Sequence, residues 1–160
     1  MKKLIGFALG IVVPTFIVAG GMANPALAQK TSEMDAVKAA NQAFYAALSA
    51  RDINAFMKAW SSKTEIRNIG PRSKAADVGR DATKKAIERT FDAFPELKVS
   101  AEQTYIRING STAWVSCIEK AQRKTKSGET QSGTNFGTSI FEKQGGKWLM
   151  VYHHASAIPQ

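Results

Sequence analysis

The amino-acid sequence predicts an α+β domain in which a long, curved, mainly antiparallel sheet wraps around three N-terminal helices. The period of the apolar side chains supports this fold class. Up to Phe94 they recur mostly at steps of three and four, as in amphipathic helices, whereas from Leu97 onward they recur at steps of two, as in strands. A pocket is expected between the helices and the concave face of the sheet.

Each of the three predicted helices has a start signal. Ser32, Asp52 and Asp81 are residue types whose side chains accept hydrogen bonds from the first free N–H groups of a helix. Pro95 is expected to end the third helix, because the residue before a proline disfavours helical backbone. The segment Thr64–Gly70 reads as a short strand between the second and third helices, followed by a loop.

Two turn signals organise the strands that follow. Asn109 and Gly110 form the dipeptide most typical of a two-residue hairpin loop, and Gln144-Gly145-Gly146 predicts a second tight turn. The final strand is expected over Lys147–Ser156. Consecutive strands joined by such short turns pair antiparallel.

Residues 1–28 have the features of a signal peptide. Lys2 and Lys3 precede an apolar run, Leu4–Gly21, and Ala26–Ala28 supply the small residues that a signal peptidase requires. We therefore expect cleavage near Gln29 and export to the periplasm or the medium, without stable membrane insertion afterwards. The alternative is an uncleaved membrane anchor.

Residues 29–160 are enough for one compact domain and too few for two. The whole chain has a formal net charge of +9. An exported protein rarely meets nucleic acid, so no nucleic-acid partner is expected, and the charge instead favours solubility or contact with anionic ligands and surfaces. Cys117 is the only cysteine, which excludes a disulfide within the chain.

The two histidines of the chain, His153 and His154, are adjacent in the final strand. Successive strand residues point to opposite faces, so the pair is not expected to bind one metal ion, and no metal or other cofactor is expected. Strict alternation places His154 on one face with Trp148 and Met150, and His153 on the other face. One histidine is expected to face the pocket, with His154 as the candidate, and the other to lie at a rim or an interface.

The order of the elements, the segment "TAWV" and the ending "GKWLMVYHHAS" resemble the nuclear transport factor 2-like superfamily, and within it the SnoaL-like group. Gly146, Trp148, His154 and Ser156 match the ending of that group. The resemblance covers nearly all of residues 29–160. It implies a cone-shaped fold and a homodimer formed through the outer face of the sheet.

The resemblance extends to two better-known branches of the superfamily. Ketosteroid isomerase uses an oxyanion-hole tyrosine, a carboxylate base and a protonated aspartic acid. The corresponding positions of this chain are Tyr45, Asn68 and Gly137. The amide of Asn68 cannot take a proton from carbon, and Gly137 has no side chain to donate a hydrogen bond. The resemblance therefore implies negligible steroid isomerase activity. Arginines that line the cavity of the calcium/calmodulin-dependent kinase association domain fall on Glu119 and Ser139.

Several of these residues have more than one interpretation. Glu119 is either a pocket carboxyl, whose pKa would rise on burial, or a solvated charge near Lys120. Tyr45 is either a pocket donor or a helix residue that packs on the sheet. Cys117 is most simply a small buried side chain.

The leading hypothesis is an exported SnoaL-like domain that binds a small, partly apolar molecule. An isomerase, cyclase or hydratase that uses Glu119 or His154 as its base and Tyr45 as a donor remains an alternative, as does a structural dimerisation module. Convergence of these three side chains would favour the enzyme. The residues expected to line the pocket are Phe44, Tyr45, Trp60, Asn68, Val115, Cys117, Glu119, Ser139, Phe141 and His154.

Overall fold

The first helix of the computed structural model, which describes residues 25–62 and 65–159, begins earlier than the sequence suggests. This helix, α1, spans Pro25–Ala50. The prediction that Ser32 caps it is wrong, because Pro25 is tolerated in the first helical turn and Ala26–Ala28 favour helix. Of the signal peptide predicted for residues 1–28, residues 1–24 lie outside the described residues, and cleavage near Gln29 stays a prediction.

Two shorter helices follow, α2 over Ile53–Lys58 and α3 over Arg80–Ala93. The prediction for Asp52 is confirmed, since its Oδ1 accepts 2.9 Å hydrogen bonds from two backbone N–H groups of α2. Asp81 is not the cap of α3. Gly79 takes that position with a φ of 82°, and Asp81 lies in the first turn.

Six strands form one sheet in the order β2-β1-β6-β5-β4-β3. Strand β1 pairs with β6 in parallel, and the other neighbours are antiparallel. The strands are β1 Arg67–Ile69, β2 Asp77–Val78, β3 Glu96–Asn109, β4 Thr112–Lys124, β5 Thr130–Gln144 and β6 Lys147–Ala157. The predicted α+β class and the mainly antiparallel sheet are confirmed, although β2 lies in a segment predicted as loop.

Both predicted tight turns are present. Asn109 pairs with Thr112, and Gly110 begins the two-residue loop between them with a φ of 57°. Between β5 and β6, Gly145 and Gly146 both have positive φ, at 55° and 79°. Such angles favour glycine, because a side chain would clash with the backbone.

A bulge interrupts the pairing of β5 with β6. Tyr152 pairs with Ile140 and Met150 pairs with Phe141, which leaves Val151 without a partner. An extra residue reverses the faces of all side chains that follow it in the strand. The strict alternation predicted for this strand is therefore wrong beyond Val151.

The two faces of the sheet differ in how they are covered. The inner face packs on α1 and α2 around a buried core that includes Phe56 and Met150. On the outer face three aromatic side chains, Tyr105, Trp114 and Phe136, remain 55%, 40% and 57% exposed. No helix among the described residues has the length and hydrophobicity needed to span a membrane.

Candidate functional site

A cavity of about 570 Å³ lies between α3, the segment joining β1 to β2, and the inner face of the sheet. Apolar side chains from three elements form its walls. These are Leu48, Ile87, Leu97 and Val99. At its inner end the cavity is lined by four buried polar side chains, here called the polar floor: Asn68, Glu119, Asn135 and His153.

The Glu119 carboxyl is the centre of the polar floor and is only 3% exposed. From α1, Tyr45 Oη donates a 2.7 Å hydrogen bond to Glu119 Oε1. From β5, Asn135 Nδ2 donates to Glu119 Oε2 at 3.3 Å. From β6, His153 Nε2 lies 3.4 Å from Oε1. Of the two environments considered for Glu119, the buried one is observed.

Burial controls the protonation of this group. Burial raises the pKa of Glu119, although the hydrogen bonds from Tyr45 and Asn135 act in the opposite direction. Burial, reinforced by the nearby His154, lowers the pKa of His153 to about 3. Both shifts favour neutral side chains. We therefore interpret the contact between them as one shared proton, not as an ion pair between imidazolium and carboxylate.

The second nitrogen of His153 is also engaged. Its Nδ1 lies 3.0 Å from Ser139 Oγ. When Nε2 of the neutral ring accepts a hydrogen bond from the protonated Glu119 carboxyl, Nδ1 carries the ring hydrogen and donates a hydrogen bond to Ser139 Oγ. The hydroxyl of Ser139 can accept from Nδ1 in this tautomer and donate to it in the other.

Tyr45 and Cys117 lie behind the carboxyl, away from the cavity. Cys117 Sγ is 3.3 Å from Tyr45 Oη. Burial raises the pKa of both side chains, and the Glu119 charge raises that of Tyr45 further. Neither therefore ionises near neutral pH, and Tyr45 acts as a hydrogen-bond donor.

The assignment of the two histidines from the sequence is wrong. Because of the bulge at Val151, His153 faces the helices, with its ring centroid 4.8 Å from that of Phe44. His154 lies on the other face beside Tyr152, with 6.5 Å between ring centroids. His153 therefore takes the place in the pocket that alternation gave to His154.

Gly137 leaves the space that the carboxyl of Glu119 occupies. A Cβ at this position would lie 2.7 Å from Glu119 Oε1 and 2.8 Å from its Cγ. The position at which the isomerase resemblance lacks a carboxylic acid on β5 is thus filled by a carboxyl from β4. A side chain at residue 137 and the observed position of Glu119 exclude each other.

The remaining member of the polar floor, Asn68, is tied to the edge of the sheet. Its Nδ2 donates a 3.2 Å hydrogen bond to Asp77 Oδ2, and Asp77 lines the same cavity. Sequence reasoning missed Asp77 because a strand of two residues is too short to show a period. It also missed Asn135, which no motif distinguishes.

The residues expected to line the pocket fall into four groups in the structure. Those that line the cavity are Phe44, Asn68 and Glu119. Those that lie behind the polar floor are Tyr45, Cys117 and Ser139. Those buried in the hydrophobic core are Trp60, Val115 and Phe141. His154 alone lies on the outer face.

The described residues contain no group of three or more histidine, cysteine or acidic side chains placed to hold a metal ion. The polar floor brings together one carboxyl, one imidazole and two amides. Such a set suits hydrogen bonding and proton transfer.

Comparison with known proteins identifies the family. Residues 37–160 match the model of the SnoaL-like domain. The chain belongs to this family. The predicted membership is therefore confirmed. Among curated proteins, no sequence matches this SnoaL-like domain.

Solved structures share the fold of this SnoaL-like domain. A candidate dehydratase of the NTF2-like family from Streptomyces avermitilis has a TM-score of 0.74 and 18% identity, over 81% of this chain and 99% of its own. A ketosteroid isomerase-like protein from Erwinia carotovora atroseptica has a TM-score of 0.69 and 18% identity, over 80% and 98%. At such identities the likeness shows the fold alone.

Gly137→Ala tests the packing of the polar floor. The added methyl group must displace the Glu119 carboxyl, so we expect the free energy of unfolding to fall by about 1–3 kcal/mol. Gly133→Ala in the same strand is the control, because a Cβ there meets no atom within 4 Å. Urea unfolding of both variants measures the difference. Equal stability of the two would show that Glu119 does not occupy the space over Gly137.

Proposed function

We propose that this SnoaL-like domain binds a small, partly apolar molecule in the cavity above Glu119. The observation that supports the proposal is an apolar-walled cavity that ends on buried polar side chains. Its volume of about 570 Å³ lies within the range typical of small-molecule sites. A cavity of this kind binds an apolar body and orients it through a few hydrogen bonds.

The walls and the floor contribute differently to binding. Burial of a ligand against Ile87, Leu97 and Val99 contributes about 25 cal/mol for each Å² of apolar surface removed from water. The carboxyl of Glu119 and the amide of Asn135 instead select a ligand with a matching polar group, since an unpaired buried polar group is costly. Affinity thus comes from the walls and selectivity from the floor.

Acid–base catalysis of the isomerase, cyclase or hydratase type is a second candidate function. It is favoured by the approach of Tyr45 Oη and His153 Nε2 to the Glu119 carboxyl, within 3.4 Å. His154, the histidine considered for this role from the sequence, takes no part, because it lies on the outer face. A carboxyl whose pKa is raised toward neutrality is suited to give and take a proton. In this function Glu119 would be the acid or base, and Tyr45 and His153 would set its protonation.

Native mass spectrometry of the protein purified from its own host tests the proposed binding. The unmodified chain is expected to retain a small molecule. Ala86→Trp fills the cavity from α3 and should abolish retention, whereas Ala43→Trp, at an exposed position of α1, should leave it intact. Equal retention by both variants, or none by the unmodified chain, would contradict the proposal.

The same experiment separates the two candidate functions. The retained molecule, once extracted and identified, is incubated with the unmodified protein and with Glu119→Gln. If the protein only binds the molecule, the molecule is recovered unchanged after incubation with either protein. An acid–base enzyme changes its mass or isomeric composition only when Glu119 is present.

We also propose that the chain forms a homodimer through the outer face of the sheet. The support is the exposure of Tyr105, Trp114 and Phe136 on that face, since a contiguous apolar patch is unusual on a monomer. A two-fold axis would pair the patch with its own copy. His153 takes no part, because it faces the interior.

Sedimentation equilibrium at micromolar protein tests the dimer. The unmodified chain should sediment as a dimer, and Phe136→Glu should shift it to the monomer, because the added charge would be buried in the contact. Val78→Glu is the control, since Val78 is 54% exposed but lies in the edge strand β2. A monomeric unmodified chain would overturn the proposal.

A further inference from the structure

The outer end of the cavity is lined by four cationic side chains, here called the cationic mouth: Arg72, Lys74, Arg89 and Arg123. Two of them share one aromatic ring. The guanidinium carbons of Arg72 and Arg123 lie 5.9 and 5.0 Å from the ring centroid of Phe94. Both guanidinium groups thus lie beside Phe94, and the charge of Arg72 acts on Arg123.

These two arginines have no anionic partner in the described part of the chain. None of its ion pairs includes Arg72 or Arg123. Arg123 Nε donates instead to the neutral Gln131 Oε1 at 3.1 Å. Burial, with the adjacent charge of Arg72, lowers the pKa of Arg123. An anion between the two guanidinium groups would relieve their repulsion.

The acidic side chains of the same cavity are engaged elsewhere. Asp77 accepts a hydrogen bond from Asn68. Glu119 is buried in the polar floor, where it is held by Tyr45 and Asn135. The cavity is therefore divided along its length into a cationic outer end, an apolar middle and an inner end of buried, neutral side chains, which disfavours an ionised group.

We infer that the cavity takes an amphipathic carboxylate, with its carboxylate between Arg72 and Arg123 and its apolar body directed inward along Leu97 and Val99. This inference rests on the proposed binding function and names its ligand class. Guanidinium groups suit this role because they bind carboxylates through two parallel hydrogen bonds. The reverse orientation would bury the charged carboxylate of the ligand among the neutral side chains of the polar floor, which is costly.

Isothermal titration calorimetry at neutral pH with octanoate, octanol and octylamine tests the charge preference, because the three differ only in their head groups. Octanoate is expected to bind about tenfold more tightly than octanol, which corresponds to about 1.4 kcal/mol. Octylamine is expected to bind most weakly. The preference for octanoate should shrink as salt is added, since the cationic mouth is partly exposed.

Arg72→Gln and Arg123→Gln test the position of the carboxylate. Each is expected to weaken octanoate binding about threefold to fivefold and to leave octanol binding unchanged, as one partly exposed ion pair is worth a fraction of a tenfold change. Arg107→Gln is the matched control, because Arg107 is an exposed residue of β3 that does not line the cavity. Arg107→Gln should leave the affinity for octanoate and for octanol unchanged.

The outcomes separate the two proposals. Equal binding of octanoate and octanol, both blocked by Ala86→Trp, would overturn the carboxylate preference and leave the binding function standing. Octanoate binding that survives Ala86→Trp would place the ligand outside the cavity and overturn the inference. Binding of none of the three compounds would overturn the inference and count against the binding function itself.

Discussion

The hydrogen bond from Tyr45 Oη to Glu119 Oε1 connects the first helix to the middle of the sheet. The arrangement of the polar side chains at the inner end of the cavity depends on it. A carboxyl that is 3% exposed is costly unless it is hydrogen-bonded. Three elements meet that requirement: Tyr45 donates from α1, Asn135 donates from β5, and His153 approaches from β6. Gly137, also on β5, leaves the space that the carboxyl occupies. Removal of any one would alter where the carboxyl lies.

This arrangement also divides the cavity electrostatically. At the inner end, burial favours neutral Glu119 and neutral His153, so the polar floor offers hydrogen bonds without a full charge. At the outer end, Arg72 and Arg123 keep their charges near solvent and beside Phe94. A ligand that enters thus meets charge first, apolar walls next and hydrogen-bonding groups last.

Local signals predicted the fold class and the tight turns but only one of the three helix caps, and they failed where pairing in three dimensions decides. Asp52 and the Gly145-Gly146 turn follow from capping and from positive φ, which act over a few residues. The bulge at Val151 does not, because every residue from Trp148 to Tyr152 is apolar, so no change of period marks the insertion. His153 and His154 were exchanged for that reason alone.

The pH at which Glu119 is protonated tests most directly whether its carboxyl is held in the buried polar floor. The chain is labelled with glutamate carrying ¹³C at the carboxyl carbon, and Glu119→Gln identifies the Glu119 signal in a pH titration by NMR. Burial predicts a midpoint above the ordinary glutamate value of about 4.3, and Tyr45→Phe should raise it further by removing a donor to the carboxylate. A midpoint at or below the ordinary value would show that the carboxyl is not held in this buried environment.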